Sequence, residues 1–286
     1  MMPVFFTIDQ RYLQHFAVAV TSLLENNKHM ELAIYVIHDM SDPSPLQNLG
    51  YFIQKKYNVN IKLLTINGEL FDQYKITGHI SRATYFRLLL ADILPSNLSS
   101  GLFLDADLVV TGSLSELEQH LKGDFYLKAV PDTESDQDIP RINKMGIPLK
   151  RYFNAGVMLI NLTAWRASGV TSRLLEIAAQ YKDQLKWWDQ DVLNIYFHDK
   201  FSDLDPKFNG MHLKKKMPAL PLIIHFTSPS KPWHFLNIHP YKKQYWKYHK
   251  LTPFKDQSYS DITPFALVVK LYQHVRYVWR SIKSSS

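Results

Sequence analysis

Two aspartates separated by one small residue, Asp105-Ala106-Asp107, follow directly on the apolar run Gly101-Leu102-Phe103-Leu104. A run that apolar reads as a buried strand, so the acids belong to a strand terminus and not to a loose coil. Paired carboxylates in such a place suit a hard divalent cation. A bound cation can neutralise the charge that grows on a departing diphosphate, so the triplet is suited to breaking a bond at a phosphate oxygen. Asp-x-Asp is also a common solvated turn, and the spacing alone leaves both readings open.

The elements that must carry the triplet follow a regular pattern. Residues 4–8, 32–37 and 61–66 read as strands, and 16–24 as a helix with one apolar face. The polar turn 41–45 (SDPSP) opens the next helix. A long helical pattern covers 81–94 and stops at Pro95, and a short strand covers 102–104. Further strands are predicted at 125–130, 156–161 and 222–226. Strands alternating with helices predict an α/β domain with a parallel sheet covered on both faces. Ligands of such sheets collect at the carboxyl ends of strands, where Asp105 and Asp107 fall.

The chain has 286 residues, 46% hydrophobic and 21% charged, enough for a substantial core in one large domain or one plus an appendage. It contains no cysteine, which excludes disulfides and thiolate metal sites and fits a reducing compartment. Asp9 and Arg11 interrupt the apolar opening before a secretion signal can form. No apolar run approaches the roughly 20 residues needed to span a bilayer, so a cytoplasmic protein is expected. The net charge of +7 resides in residues 241–286, which hold nine Lys or Arg and two Asp or Glu. The predicted organisation is a domain over 1–240 and a basic aromatic tail over 241–286.

Within the tail, Phe265, Val268, Tyr272, Val275, Trp279 and Ile282 recur at helical spacing, edged by Arg276, Arg280 and Lys283, after a Thr263-Pro264 start. This pattern over 263–283 suits an interfacial helix on an anionic membrane, with a peripheral location at its inner face. The equal alternative is packing on the domain or on another subunit, as in a homo-oligomer. No recognition motif accompanies the charge, so no nucleic-acid partner is expected.

The segments HISRATYFRLLLADILP (79–95), LFLDADLVVTGSLSEL (102–117), YFNAGVMLINLTAWR (152–166), WDQDVLN (188–194) and HFTSPSKPW (225–233) occur in that order. Together they closely resemble the bacterial branch of glycosyltransferase family 8, which includes lipooligosaccharide galactosyltransferases. The resemblance implies a GT-A fold, a Rossmann-like mixed sheet flanked by helices. It also implies a UDP-sugar donor, Mn²⁺, retention of anomeric configuration, and a glycan, glycolipid or glycoprotein acceptor. The transferred sugar is expected to be a hexose, galactose or glucose.

The resemblance also assigns roles. Asp105 and Asp107, with Ala106 between them, match the metal-binding pair, and His225 matches the third ligand. Imidazole with carboxylates suits Mn²⁺ better than Mg²⁺. Lys231 matches a diphosphate-binding lysine, and Ser228 stands where many relatives carry glycine. Thr7, Asp9 and Tyr12 match the uridine-contacting segment, although Arg11 departs from its usual small polar residue. Arg87 matches an arginine that reaches the donor. Asn154, Ala155 and Gly156 match a turn beside the donor sugar. Asp189 matches a sugar-hydroxyl ligand and Gln190 a residue near the anomeric carbon, while Asp189 is equally suited to an N-cap. Asp132 matches an acid between donor and acceptor, and the segment after it (134–146) reads as a loop that orders on binding. Two alternatives remain open on the same fold, a nucleotidyltransferase and a catalytically silent nucleotide-sugar-binding protein. FTIDQRYLQH contains no glycine, which disfavours a nucleotidyltransferase phosphate loop.

Overall fold

In the computed structural model, which describes residues 1–72, 74, 81–198, 200–265, 267–269 and 272, the amino-terminal elements follow the predicted alternation. They are β1 (Met2–Ile8), α1 (Leu13–Asn26), β2 (Leu32–His38), α2 (Ser44–Tyr57) and β3 (Ile61–Thr65). β2 is buried along its whole length, as a strand covered on both faces must be. α2 ends at Asn58, whose φ of 56° is a left-handed conformation that asparagine tolerates at a helix end.

Residues 81–94, predicted as one long helix, fold instead as a 3-10 helix (Arg82–Leu89) with a single α turn, α3 (Leu90–Ile93). Ala83 and every residue from Tyr85 to Leu89 are buried. Packing on several sides here outweighs the local preference for α geometry, since helical stability in proteins comes chiefly from tertiary contact.

β4 (Ser100–Leu104) leads through Asp105–Asp107 into β5 (Leu108–Val110). Then come α4 (Ser115–His120), β6 (Leu127–Pro131), α5 (Ile139–Asn143) and the long β7 (Phe153–Asn161). The helices α6 (Leu162–Ala167), α7 (Val170–Gln180) and α8 (Trp188–Phe197) precede β8 (Phe201–Asp203), β9 (Ile223–His225) and α9 (Lys242–His249). One core, around Phe5, Phe86, Phe103, Met158 and Trp165, lies on one face of the sheet. Val4, Phe6, Phe16, Val20 and Leu102 fill the other face, as the alternation of side chains along a strand requires.

The main sheet has the order β3-β2-β1-β4-β7-β6-β8. β7 runs antiparallel to β4 and β6, and the remaining pairs are parallel, so the sheet is mixed and not wholly parallel. The reason lies in the 132–152 connection, which returns to the end of the sheet it left. Its two ends meet, with Asp132 N donating to Tyr152 O at 2.8 Å. β7 therefore starts where β6 stops. The predicted loop at 134–146 holds a 3-10 turn (Asp136–Asp138) and α5, pinned by Arg141 on Asp191 at 2.9 Å and Lys186 on Asp138 at 2.9 Å.

The segment expected to be a tail from residue 241 begins inside the body of the protein. Tyr241, Tyr245 and Tyr248 share a core with Val18, Val109 and Trp233, so α9 seals one side of α1. Farther on, Phe265, Val268 and Tyr272 are exposed, whereas Val275, Arg276, Trp279, Arg280, Ile282 and Lys283 lie outside the described residues.

α8 is fastened to β7 by Asn194, which is fully buried. Its Oδ1 accepts from Phe153 N at 2.8 Å, and its Nδ2 donates to Phe153 O at 2.9 Å. An Asn194→Ala change strands both backbone groups and is expected to cost at least about 2 kcal/mol, read as a lower urea midpoint.

Candidate active site

Asp105 extends the β4–β7 ladder by donating its N–H to Gly156 O at 2.8 Å, which places its side chain at the carboxyl edge of the parallel strands. Asp107 leads into β5, whose antiparallel partner β9 sets Leu108 opposite His225. Three residues far apart in sequence thus converge. The ligand atoms of Asp105, Asp107 and His225 lie within 4.8 Å of one another. His225 Nε2 is 3.1 Å from Asp107 Oδ1 and 3.7 Å from Asp105 Oδ2.

Two buried cations face these acids. Lys231, 3% exposed, donates from Nζ to Asp107 Oδ2 at 2.7 Å and to Phe226 O at 2.6 Å. Arg87 donates from Nη2 to Asp105 Oδ1 at 2.6 Å and from Nη1 to Ala155 O at 2.8 Å. The two aspartates consequently diverge. Burial alone would raise Asp107, but Lys231 and His225 outweigh it and hold the carboxylate ionised well below its usual range. Burial raises Asp105, and Arg87 offsets it only in part.

The 3-10 helix explains how Arg87 and Thr84 act together. Side chains three apart eclipse in that geometry, so both face the same cavity. Thr84 Oγ1 donates to Asp189 Oδ1 at 2.5 Å, and Arg87 Nε lies 3.0 Å from Asp189 Oδ2. That second oxygen is buried and has no hydrogen-bond partner, so a ligand hydroxyl could satisfy it. Burial pushes the Asp189 carboxyl up to about 6, against the pull of Arg87 and Thr84. Asp189 is not the N-cap of α8, because that place is taken by Trp187 and the acid sits in the first turn. Trp188 before it has a φ of 45°, a strained backbone for a bulky residue.

Asn154, Ala155 and Gly156 are not a turn but the first part of β7. The antiparallel direction of β7 brings its amino end to the carboxyl ends of β1 and β4. Ala155 N and Asn154 Nδ2 both donate to Gln190 Oε1, at 3.0 Å and 3.1 Å. Gly156 leaves room for His225 and Asp105, since a Cβ there would stand 2.1 Å from His225 Cε1 and 2.7 Å from Asp105 Oδ2.

A cavity of about 360 Å³ is lined by Tyr12, Thr84, Arg87, Asp105, Asp107, Asn154, Trp187, Trp188, Asp189, Gln190, His225, Ser228 and Lys231. A second recess adjoins it, with Thr7, Asp9, Tyr12 and Ala106 in its wall. Asp9 caps the turn below Tyr12 by accepting from its N–H at 3.0 Å, and Arg11 pairs with Asp9 at 3.0 Å. Ser228 is exposed and donates to Ser230 O at 2.8 Å. Asp132 does not line this cavity. It is buried behind His212, which donates from Nε2 to Asp132 Oδ1 at 3.0 Å and does line the cavity. The hydrogen bond to Asp132 raises the pKa of His212.

Several contributors escape sequence reasoning. Thr84 falls within a quoted segment but carries no motif signal, His212 reads as a loop residue, and Asn209 in Phe-Asn-Gly reads as a turn former. Asn209 is brought to His225 because Gly210 bridges the edge of β9 away from β5, through Gly210 N to Ile223 O and His225 N to Gly210 O.

The model of the family described as Glycosyl transferase family 8 matches residues 3–237. A lipopolysaccharide 1,2-glucosyltransferase of Escherichia coli (strain K12) is 29% identical over 94% of this chain and 83% of its own length. A lipopolysaccharide 1,3-galactosyltransferase of Salmonella typhimurium is 29% identical over 82% of this chain and 73% of its own. The galactosyltransferase LgtC, solved with donor and acceptor sugar analogs, superposes with a TM-score of 0.76 at 24% identity, covering 92% of this chain and 98% of that one. The fold is therefore the GT-A fold, with the mixed sheet that the resemblance implies.

Two expectations follow from the site's packing. Gly156→Ala should weaken divalent-cation binding at least tenfold by calorimetry, because His225 and Asp105 must both give way. The Asp189 carboxyl loses its charge as pH falls through about 6. Thr84→Val removes a hydrogen bond to the charged form and should move that midpoint higher, as seen in a ¹³C-carboxyl NMR titration.

Proposed function

Because the chain belongs to glycosyl transferase family 8, we propose that it moves a hexose, galactose or glucose, from a UDP-sugar to a hydroxyl of a glycan, glycolipid or glycoprotein. The observation that carries the finer reading is the convergence of Asp105, Asp107 and His225 at the wall of the cavity that Arg87, Asp189 and Lys231 also line. Two carboxylates and an imidazole fit Mn²⁺ in number and in chemistry. When bound there, the ion supplies Lewis-acid stabilisation of charge growing on the diphosphate.

The remaining work falls to the chain's own groups. Lys231 adds a buried positive charge beside Asp107, close to where the phosphates would lie. Arg87 bridges Asp105 and Asp189 and so links the phosphate side to the sugar side. The Oδ2 of Asp189, paired with Arg87 but accepting no hydrogen bond, is suited to accept a sugar hydroxyl. Tyr12, Asp9 and Thr7 line the recess assigned to uridine, with Tyr12 offering a ring face. Gln190 is a poor nucleophile, since its amide is neutral and its Oε1 already accepts two hydrogen bonds. That favours retention by front-face displacement, in which the leaving phosphate takes the acceptor proton. Asp132, held by His212, stands in this reading between the donor and acceptor sites.

Among the described residues no helix is long and apolar enough to cross a membrane. The exposed side chains Phe265, Val268 and Tyr272 support an anionic membrane surface as partner of 263–283, and with it a peripheral place on the cytoplasmic face.

The test is release of UDP from a panel of UDP-sugars, with Mn²⁺ and with EDTA. One hexose donor should be hydrolysed slowly, and the rate should fall at least a hundredfold with EDTA or in an Asp105→Ala, Asp107→Ala variant. Metal-independent turnover would overturn the assignment, as would absence of UDP binding, whereas metal-dependent UDP binding without turnover points to a missing acceptor.

A further inference from the structure

Asn209 is 1% exposed, and its Oδ1 lies 3.0 Å from His225 Nδ1. Which group supplies the proton follows from the backbone. The N–H of Gly156 can only donate, and its partner at 3.0 Å is Asn154 Oδ1. The Asn209 atom that faces Asn154 Oδ1 at 2.9 Å must then be the amide nitrogen. That turns the Asn209 oxygen to the imidazole, so His225 Nδ1 carries the hydrogen. The other half of the Asn154 amide, Nδ2, donates to Gln190 Oε1. The acceptor role of that oxygen is set separately by the N–H of Ala155. Two backbone donors on one strand therefore orient three carboxamides and one imidazole.

We infer that Asn209 and Asn154 are positioning residues for the metal ligand: they hold His225 protonated at Nδ1, so that Nε2 turns its lone pair toward the space shared with Asp105 and Asp107. Nε2 lies 3.1 Å from Asp107 Oδ1 and 3.7 Å from Asp105 Oδ2, contacts that are favourable only with a positive charge between them, a proton on Nε2 or a metal ion in its place. The same chain of bonds runs on to Gln190, so the ring of the metal ligand and the amide on the sugar side are oriented by one hydrogen-bonded unit. Hydrogen-bond partners of this kind, on the far nitrogen of a ligating histidine, typically change metal affinity by about 10- to 100-fold.

This inference rests on the metal-dependent reading above, and the experiment separates the two. Mn²⁺ affinity of the full chain is measured by electron paramagnetic resonance without donor, for wild type, Asn209→Leu, Asn209→Asp and the Asp105→Ala, Asp107→Ala variant. Asn209→Leu should weaken Mn²⁺ at least tenfold. Asn209→Asp still accepts from Nδ1 but loses the donor to Asn154 Oδ1, so its affinity should lie between those of wild type and Asn209→Leu. Equal affinity in Asn209→Leu and wild type, or an equal loss in both Asn209 variants, overturns the positioning role while leaving the metal site intact. Undiminished Mn²⁺ binding by the double aspartate variant overturns the metal reading itself. A direct readout covers the case in which Asn209→Leu does not fold. In ¹⁵N-histidine NMR of the wild-type chain with Zn²⁺ as a diamagnetic probe, the His225 signal (assigned with His225→Gln) should show a protonated Nδ1 and a ligated Nε2. Ligation through Nδ1 overturns the proposal.

Discussion

The site depends on an imbalance of buried charge. Asp105, Asp107 and Asp189 crowd one wall of the cavity, and the buried cations that touch them are Arg87 and Lys231. Burial works against every one of these charges, so each is tolerable only through its partner. The consequence is a graded set of acids. Asp107 is held ionised by Lys231, while Asp105 and Asp189 are pushed upward by burial and share one guanidinium. Such an arrangement favours arrival of more positive charge. In the proposed reading a divalent ion overcorrects the deficit, and the donor diphosphate then restores balance.

Topology makes that crowding possible. A wholly parallel sheet would offer only strand ends running out of the page, but β7 enters from the opposite direction and presents its amino end there. Its Asn154, Ala155 and Gly156 bring two backbone donors and a position without a side chain into the same space. The 3-10 helix adds Thr84 and Arg87 on one face, and the start of α8 adds Asp189 and Gln190. Asp191 braces that start. It is fully buried and accepts from Lys186 N, Trp187 N, Tyr152 and Arg141. The strained backbone of Trp188 lies between these anchors.

The carboxyl-terminal part serves the site from behind. His15 on α1 stacks on Trp233 with ring centroids 3.5 Å apart and bonds to Tyr245 at 2.8 Å. Burial pushes His15 down to about 3, so the ring is neutral and can sit in an aromatic cluster at no charge cost. Trp233 closes the segment that begins at His225 and includes Lys231. α9 therefore does more than extend the chain toward a surface, because it presses the segment carrying His225 and the buried Lys231 against α1.

How much of this was legible beforehand follows from the range of each interaction. The strands at the start of the chain, the position of Asp105 and Asp107 at a strand end, and the ordered segments that mark the family all arise from local pattern, and the sequence determined them. It could not determine the 3-10 geometry of 82–89 or the place of 154–156 in a strand, because both are set by what packs around them. Nor could it single out Asn209, His212 or Thr84, whose residue types are common in turns and loops. Their roles exist only through partners 16 to 105 positions away, such as His225 for Asn209 and Asp189 for Thr84. Residue type and short-range spacing are written in the chain, but the direction of β7, the orientation of an amide and the pairing of buried charges are decided only when distant segments meet.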